Sequence, residues 1–199
     1  MRARTHPAFA ILACLFALLP ASFPGERVFA ADAGGSSPAR SAALFEKMVP
    51  VLMHPRCLNC HSRADFPRQG DDRHRHTMNI SRGPDDHGAP ALQCKTCHQA
   101  ANQPASGVPG APDWHLAPLR MAWEGLSPGE LCRALLDPQR GGMPPEKLVA
   151  HLNTALVRWA WAPGSNAQGA PRSTPPLSHE AFVEVARQWL ASGSECPGT

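Results

Sequence analysis

Cys57, Cys60 and His61 fall within five residues, and the same arrangement returns at Cys94, Cys97 and His98. The two strings read Cys57-Leu58-Asn59-Cys60-His61 and Cys94-Lys95-Thr96-Cys97-His98, each a C-x-x-C-H pattern. Two thiols three positions apart on one helical turn can bond both vinyl groups of a single porphyrin. The imidazole beside the second thiol then lies under the ring and can take its iron. This is the attachment sequence of a c-type haem. C-x-x-C alone also serves redox dithiols and zinc sites. Two copies that both end in His, in an exported chain, point instead to two covalently bound haem c groups. Cys57, Cys60, Cys94 and Cys97 are the expected cofactor-binding residues, and His61 and His98 the proximal iron ligands.

Export is written into the first thirty residues. Arg2 and Arg4 form a positive start, Ala8 to Leu19 is apolar, and Val28-Phe29-Ala30 ends on a small residue suited to cleavage. The apolar run is too short to span a bilayer. Ile11-Leu12-Ala13-Cys14 loosely fits a lipoprotein signal, but a cut there leaves a mature chain opening on apolar residues. The expected organisation is a signal peptide over 1–30, a Gly/Ser/Pro linker over 31–41 and one domain over 42–199. Nothing later is apolar for long enough to cross a membrane. Removing Arg2, Arg4, Arg27 and Glu26 lowers the formal charge from +3 to +1. Four haem propionates would make the loaded protein acidic, and no basic stripe suggests nucleic acid.

Seven cysteines minus Cys14 and the four thiols of the strings leave Cys132 and Cys196. In an oxidising periplasm the expected fate of such a pair is a disulfide, although two buried free thiols would also fit. A loop of about 65 residues closed this way stabilises the fold by roughly 4 kcal/mol.

The elements that must hold the two strings are mainly helical. Ala42 to His54 repeats Leu44, Phe45, Met48, Val49 and Leu52 at helical spacing, with Pro50 expected to kink or shorten it. Ser127-Pro128-Gly129-Glu130 is a capping box, opening a helix with Leu131, Leu135 and Leu136 on its apolar face. Pro145 to Trp161 reads as helical with a break near Asn153-Thr154. Ser178 caps a last helix in which Phe182, Val185, Ala186 and Trp189 share a face, ended by Gly193. The 22 prolines and 16 glycines predict long irregular connections, and no strand alternation stands out. The fold class is therefore mainly α with high loop content. Trp114, Trp123, Trp159, Trp161 and Trp189 could line haem edges or simply pack.

The spacing of the strings limits the architecture. Only 37 residues separate Cys57 from Cys94, and a self-contained small cytochrome domain needs roughly twice that. Both haems must share one compact dihaem cytochrome c domain. Their sixth ligands come from His54, His74, His76, His87, His115, His151 and His179, or from Met78, Met121 and Met143. His54 stands too close to its own haem and suits a supporting role. His151 lies mid-helix and His179 at a helix start, where ordinary packing is expected. His76, in the loop between the strings, and His115, in Trp114-His115-Leu116-Ala117-Pro118, are the preferred distal ligands, with Met121 and His87 next.

The chain also resembles a family: the small exported cytochromes labelled isoquinoline 1-oxidoreductase subunit-like. The resemblance rests on His54 through His61, Arg82-Gly83-Pro84-Asp85, Cys94 to Gln99, Trp114 to Pro118, Met121-Ala122-Trp123-Glu124-Gly125, Leu131-Cys132 and Cys196-Pro197. It implies a redox partner such as a molybdenum hydroxylase of N-heterocycles, from which this chain would accept electrons. The chain itself carries no molybdopterin signature and no ferredoxin-like cysteine cluster. The expected function is periplasmic electron transfer with both irons six-coordinate. The alternatives are a small peroxidase-like dihaem enzyme with one open iron, and a sensor or assembly role.

Overall fold

The computed structural model describes residues 37–198. The expected signal peptide, its cleavage point, Cys14 and most of the linker lie outside them. Helix α1 spans Pro38–Leu52. The Ser37 hydroxyl accepts a hydrogen bond from the Arg40 N–H at 3.2 Å, and Pro38 stands in the first turn, both favoured ways to begin a helix. That cap starts α1 four residues earlier than the apolar periodicity marks it, so Pro38 to Ser41 is helix rather than linker. Ser41, Leu44, Phe45, Met48, Val51 and Leu52 form its buried face.

After Met53 the chain turns into α2, Pro55–Leu58, one turn capped by the imidazole of His54, whose Nδ1 accepts from the Arg56 N–H. The supporting role expected of His54 is thus a helix cap. Helix α3, Pro128–Leu136, opens on the full capping box of Ser127 and Glu130. Helices α4, Pro145–Leu152, and α5, Ala155–Arg158, part at Asn153-Thr154, and a 3-10 turn carries α5 on to Trp161. Helix α6, His179–Ala191, is capped by Ser178. No helix among the described residues is long and apolar enough to cross a membrane.

The core forms where α1, α3 and α6 meet. Phe45, Val51, Leu131, Cys132 and Trp189 are fully enclosed, and each large apolar side chain contributes about 1.5–3 kcal/mol by leaving water. The rings of Phe45 and Trp189 lie 5.1 Å apart and tilted. Cys132 and Cys196 are disulfide-bonded, with Cα atoms 5.5 Å apart, which ties the chain after α6 to α3. Three faces differ from the periodicity, and on α1 it is Val51 and not Val49 that is buried. Leu136 is 38% exposed, while Cys132 and Ala134 are buried with Leu131. On α6, Val183 and not Val185 joins the buried set.

Between α2 and α3 the chain is almost all loop, stitched by two short antiparallel hairpins. β1 (Arg68–Gln69) pairs with β2 (His74–Arg75), and β3 (Gly88–Ala89) with β4 (Leu92–Gln93). One buried arginine holds these loops together. Arg82, 6% exposed, donates to the carbonyls of Ser62, Ala64 and Ala117 and pairs with the Asp86 carboxylate at 2.6 Å. Gly83 beside it has φ +73°, and a Cβ there would strike the Gly88 backbone, so only glycine fits this turn.

Candidate haem-attachment sites

In the first string, Cys57 and Leu58 end α2, and Asn59 to His61 continue its turn. The Cys60 and His61 N–H groups both donate to the Cys57 carbonyl. His61 is held on two sides. Its Nδ1 lies 3.0 Å from the Met121 carbonyl oxygen, and its ring stacks on Trp123 at a centroid distance of 3.4 Å and 11°. A carbonyl can only accept, so Nδ1 carries the proton and Nε2 presents its lone pair. Burial pushes His61 down to about 4 against the opposing Met121 carbonyl, with His151 and Arg82 lowering it further. The imidazole is therefore neutral at neutral pH, as a metal ligand must be. Burial pushes the Cys57 thiol up to about 12 and the Cys60 thiol up to about 11.

The second string repeats the device on different scaffolding. Cys94–Thr96 is a 3-10 turn entered from β4. His98 donates from Nδ1 to the Pro109 carbonyl at 2.7 Å and stacks on Trp114 at 4.6 Å and 5°. Trp114 in turn meets the edge of Trp159 at 4.8 Å. Burial lowers the proton affinity of His98 despite the Pro109 carbonyl, and His76 and Arg172 lower it further. Cys97 is exposed, while Cys57, Cys60 and Cys94 are half-buried.

A cavity of about 490 Å³ opens among Cys60, Cys94, Cys97, His98, His76 and Trp159, within the range of cofactor sites. All four thiols of the strings are unpaired. Arg56 and Arg172 also line the cavity. Arg56 is 6% exposed, pairs with Asp71 and leaves its Nε without a partner. Arg172 is anchored on the Pro163, Ser165 and Gly107 carbonyls. At the second string, two thiols, a pre-set imidazole, an apolar hollow and guanidinium groups suited to carboxylates fit a haem c, whereas of the first string's thiols and imidazole only Cys60 lines this cavity. Each haem would supply one-electron iron chemistry when bound.

The remaining histidines separate by what their Nδ1 touches. His76 lies at 2.7 Å from the Thr77 carbonyl, His87 at 2.6 Å from that of Asp85, and His115 at 2.6 Å from that of Asp113. All three therefore have the tautomer of His61 and His98, with the lone pair on Nε2, and that of His87 faces the Asp113 carboxylate at 3.7 Å. His74 instead lies against the Asp72 carboxylate, and buried His179 donates from Nε2 to the Leu152 carbonyl. His76 comes within 6.0 Å of His98, centroid to centroid. His115 stacks on His87 at 4.8 Å, and the ligating atoms of His87, Asp113 and His115 lie within 4.8 Å of one another. Met121 gives its carbonyl to His61, and its thioether packs against Gly141.

Several contributors carried little or no sequence signal. The Met121 and Pro109 carbonyls are backbone groups, which no motif records. Trp114 and Trp123 were visible as aromatic residues, but their seats behind the proximal imidazoles were not. Half-buried His151, in the last turn of α4 rather than mid-helix, bears on His61. Glu124 binds the Arg63 N–H at 2.7 Å and pairs with Arg68 and Arg73, closing the loop over the first string. Comparison with protein-family models, curated proteins and solved structures finds no match to this chain.

Proposed function

We propose that the chain is an exported dihaem c-type cytochrome that carries electrons in the periplasm. One haem c is bound through Cys57 and Cys60 with His61 as proximal ligand, and the other through Cys94 and Cys97 with His98. Each iron takes up and releases one electron, and a partner oxidoreductase, such as a molybdenum hydroxylase, reduces it.

The observation that carries this reading is the shared setting of the two proximal imidazoles. Both sit at the end of a C-x-x-C-H string, both donate from Nδ1 to a backbone carbonyl, and both stack on an indole. A redox dithiol has no need of that imidazole arrangement twice, while a zinc-ligating His makes the same Nδ1-to-carbonyl bond and is separated from this reading by the covalent haem count. The Nε2 lone pairs of His76 and His115, left by the Nδ1 contacts of those rings, favour closed six-coordinate irons over an open catalytic one. Mass spectrometry of the purified exported protein tests this directly. The expected mass is the mature chain plus two haems, with no porphyrin extracted by acid acetone and no carbon monoxide binding by the reduced form. A single haem removes the dihaem reading, and carbon monoxide binding at one haem turns the carrier into a peroxidase-like enzyme.

A further inference from the structure

We propose that His76 is the sixth ligand of the iron held by His98, and that the two imidazole planes cross steeply on it. The inference rests on the dihaem reading and assigns one distal residue to one of its two sites. His76 and His98 line the same cavity as Cys94 and Cys97. Their ring centroids are 6.0 Å apart, with planes at 72°. Two imidazoles bonded through Nε2 to opposite sides of one metal, with bonds of about 2 Å, have centroids about 6 Å apart. Both rings carry the Nδ1 proton on a backbone carbonyl, at Thr77 and Pro109. Among the described residues neither Nε2 has a hydrogen-bond partner. His74 and His115 line this cavity too, but among the described residues His76 is the histidine whose ring meets His98. His87 and His115 are stacked face to face at 4.8 Å and 16°, which cannot put them on opposite faces of one iron.

The segment carrying His76 is fixed for the task. The His76 N–H donates to the Pro67 carbonyl at 3.0 Å, and the Thr77 N–H to the Gln69 side chain at 3.1 Å. Met78 and Asn79 follow with φ of 62° and 51°. Two successive non-glycine residues in the left-handed region are a costly turn, and such strain collects at ligand clamps.

Crossed axial imidazoles bring two of the ferric iron d orbitals close in energy. The low-spin EPR signal is then strongly anisotropic, with one large g value, whereas parallel planes give an ordinary rhombic signal. The oxidised parent holoprotein should show the anisotropic signal from one of its two haems. In His76→Ala, with two haems still present by mass, that signal should vanish and an equal amount of high-spin iron appear. The other haem should be unchanged, and added imidazole should restore a low-spin state. In a Cys57→Ser/Cys60→Ser background, which keeps only the haem on Cys94 and Cys97, His76→Ala should leave no low-spin iron. A His76→Ala protein that keeps two fully low-spin haems overturns the assignment and leaves the dihaem reading intact. If that variant does not mature, the parent spectrum decides: rhombic signals alone overturn the crossed pair. A parent mass without two haems defeats the dihaem reading before the ligand question arises.

Discussion

The two C-x-x-C-H strings have the same chemistry but different settings. The first grows out of α1 through α2 and lies against the helical core. Arg56, Leu58, Asn59 and Ser62 are buried, and Cys57 packs on the core cluster. The second hangs from a two-residue hairpin strand, with Lys95, Thr96 and Cys97 exposed. What the two share is the backbone carbonyl and indole that fix each imidazole. The invariant part of the arrangement is thus the orientation of the proximal ring, while burial is free to vary. Burial and solvent exposure are levers on a haem potential. In the proposed carrier the two irons would therefore differ in potential, and the exposed second string would be the edge for exchange with a partner.

The largest expected effect comes from cutting the frame around the first string. Arg82→Ala removes a buried guanidinium from three carbonyls and leaves the Asp86 carboxylate without its partner. The expected loss of folding stability is about 3–5 kcal/mol, read from denaturant unfolding of the holoprotein. Arg82→Lys keeps the charge but not the planar fork and should recover only part of it. A midpoint shift within the scatter of ordinary surface substitutions would show that the loops do not depend on Arg82.

A smaller effect at the same site comes from Glu124, whose side chain is 16% exposed. Burial raises its proton affinity, but the Arg63 N–H and the charges of Arg68 and Arg73 outweigh that and hold it below the usual carboxylate value. Its stabilisation is present above the unfolded carboxylate pKa, about 4.3. It is lost as pH falls through the lower folded value. Glu124→Gln should cost about 1–3 kcal/mol at neutral pH, and the difference from the parent should shrink on acidification. A gap that stays constant from pH 7 to pH 3 would remove the charge-based account.

The helices were legible for local reasons, as were the two C-x-x-C-H strings as sequence patterns. Capping boxes, prolines and apolar spacing act within a few residues, so α3 and α6 could be placed from Ser127, Glu130 and Ser178. The start of α1 was not, because the Ser37 cap and Pro38 precede the first apolar repeat. Pairing of Cys132 with Cys196 followed from counting thiols. What stayed hidden depends on contacts across long stretches of chain. His61 meets the Met121 carbonyl 60 residues away, Glu124 meets Arg63 61 residues away, and Arg82 reaches Ala117 35 residues away. Loop residues have no periodicity from which such meetings can be read. His76 could be nominated from its position between the strings. Its approach to His98, however, is made by a loop that runs on into a left-handed turn at Met78 and Asn79, residues whose types do not announce it.

The smallest expected effect tests whether the exposed string is where electrons enter. Lys95 lies within the second string and is exposed, so its charge stands at the edge a soluble reductant would approach. Like charges raise and opposite charges lower the local concentration of an ionic reagent, and salt screens both effects over about 10 Å at 0.1 M. Lys95→Glu should slow reduction of the faster haem by an anionic reductant roughly threefold at low ionic strength. In stopped-flow measurements the difference should vanish near 1 M salt, where the Debye length is about 3 Å. Arg187→Glu, an equal charge change on the exposed side of α6, is the control and should leave the rate nearly unchanged. A cationic reductant should show the opposite sign with Lys95→Glu, which separates a local field from a change in potential. Equal slowing by both variants would mean that net charge, not the exposed second string, governs the encounter.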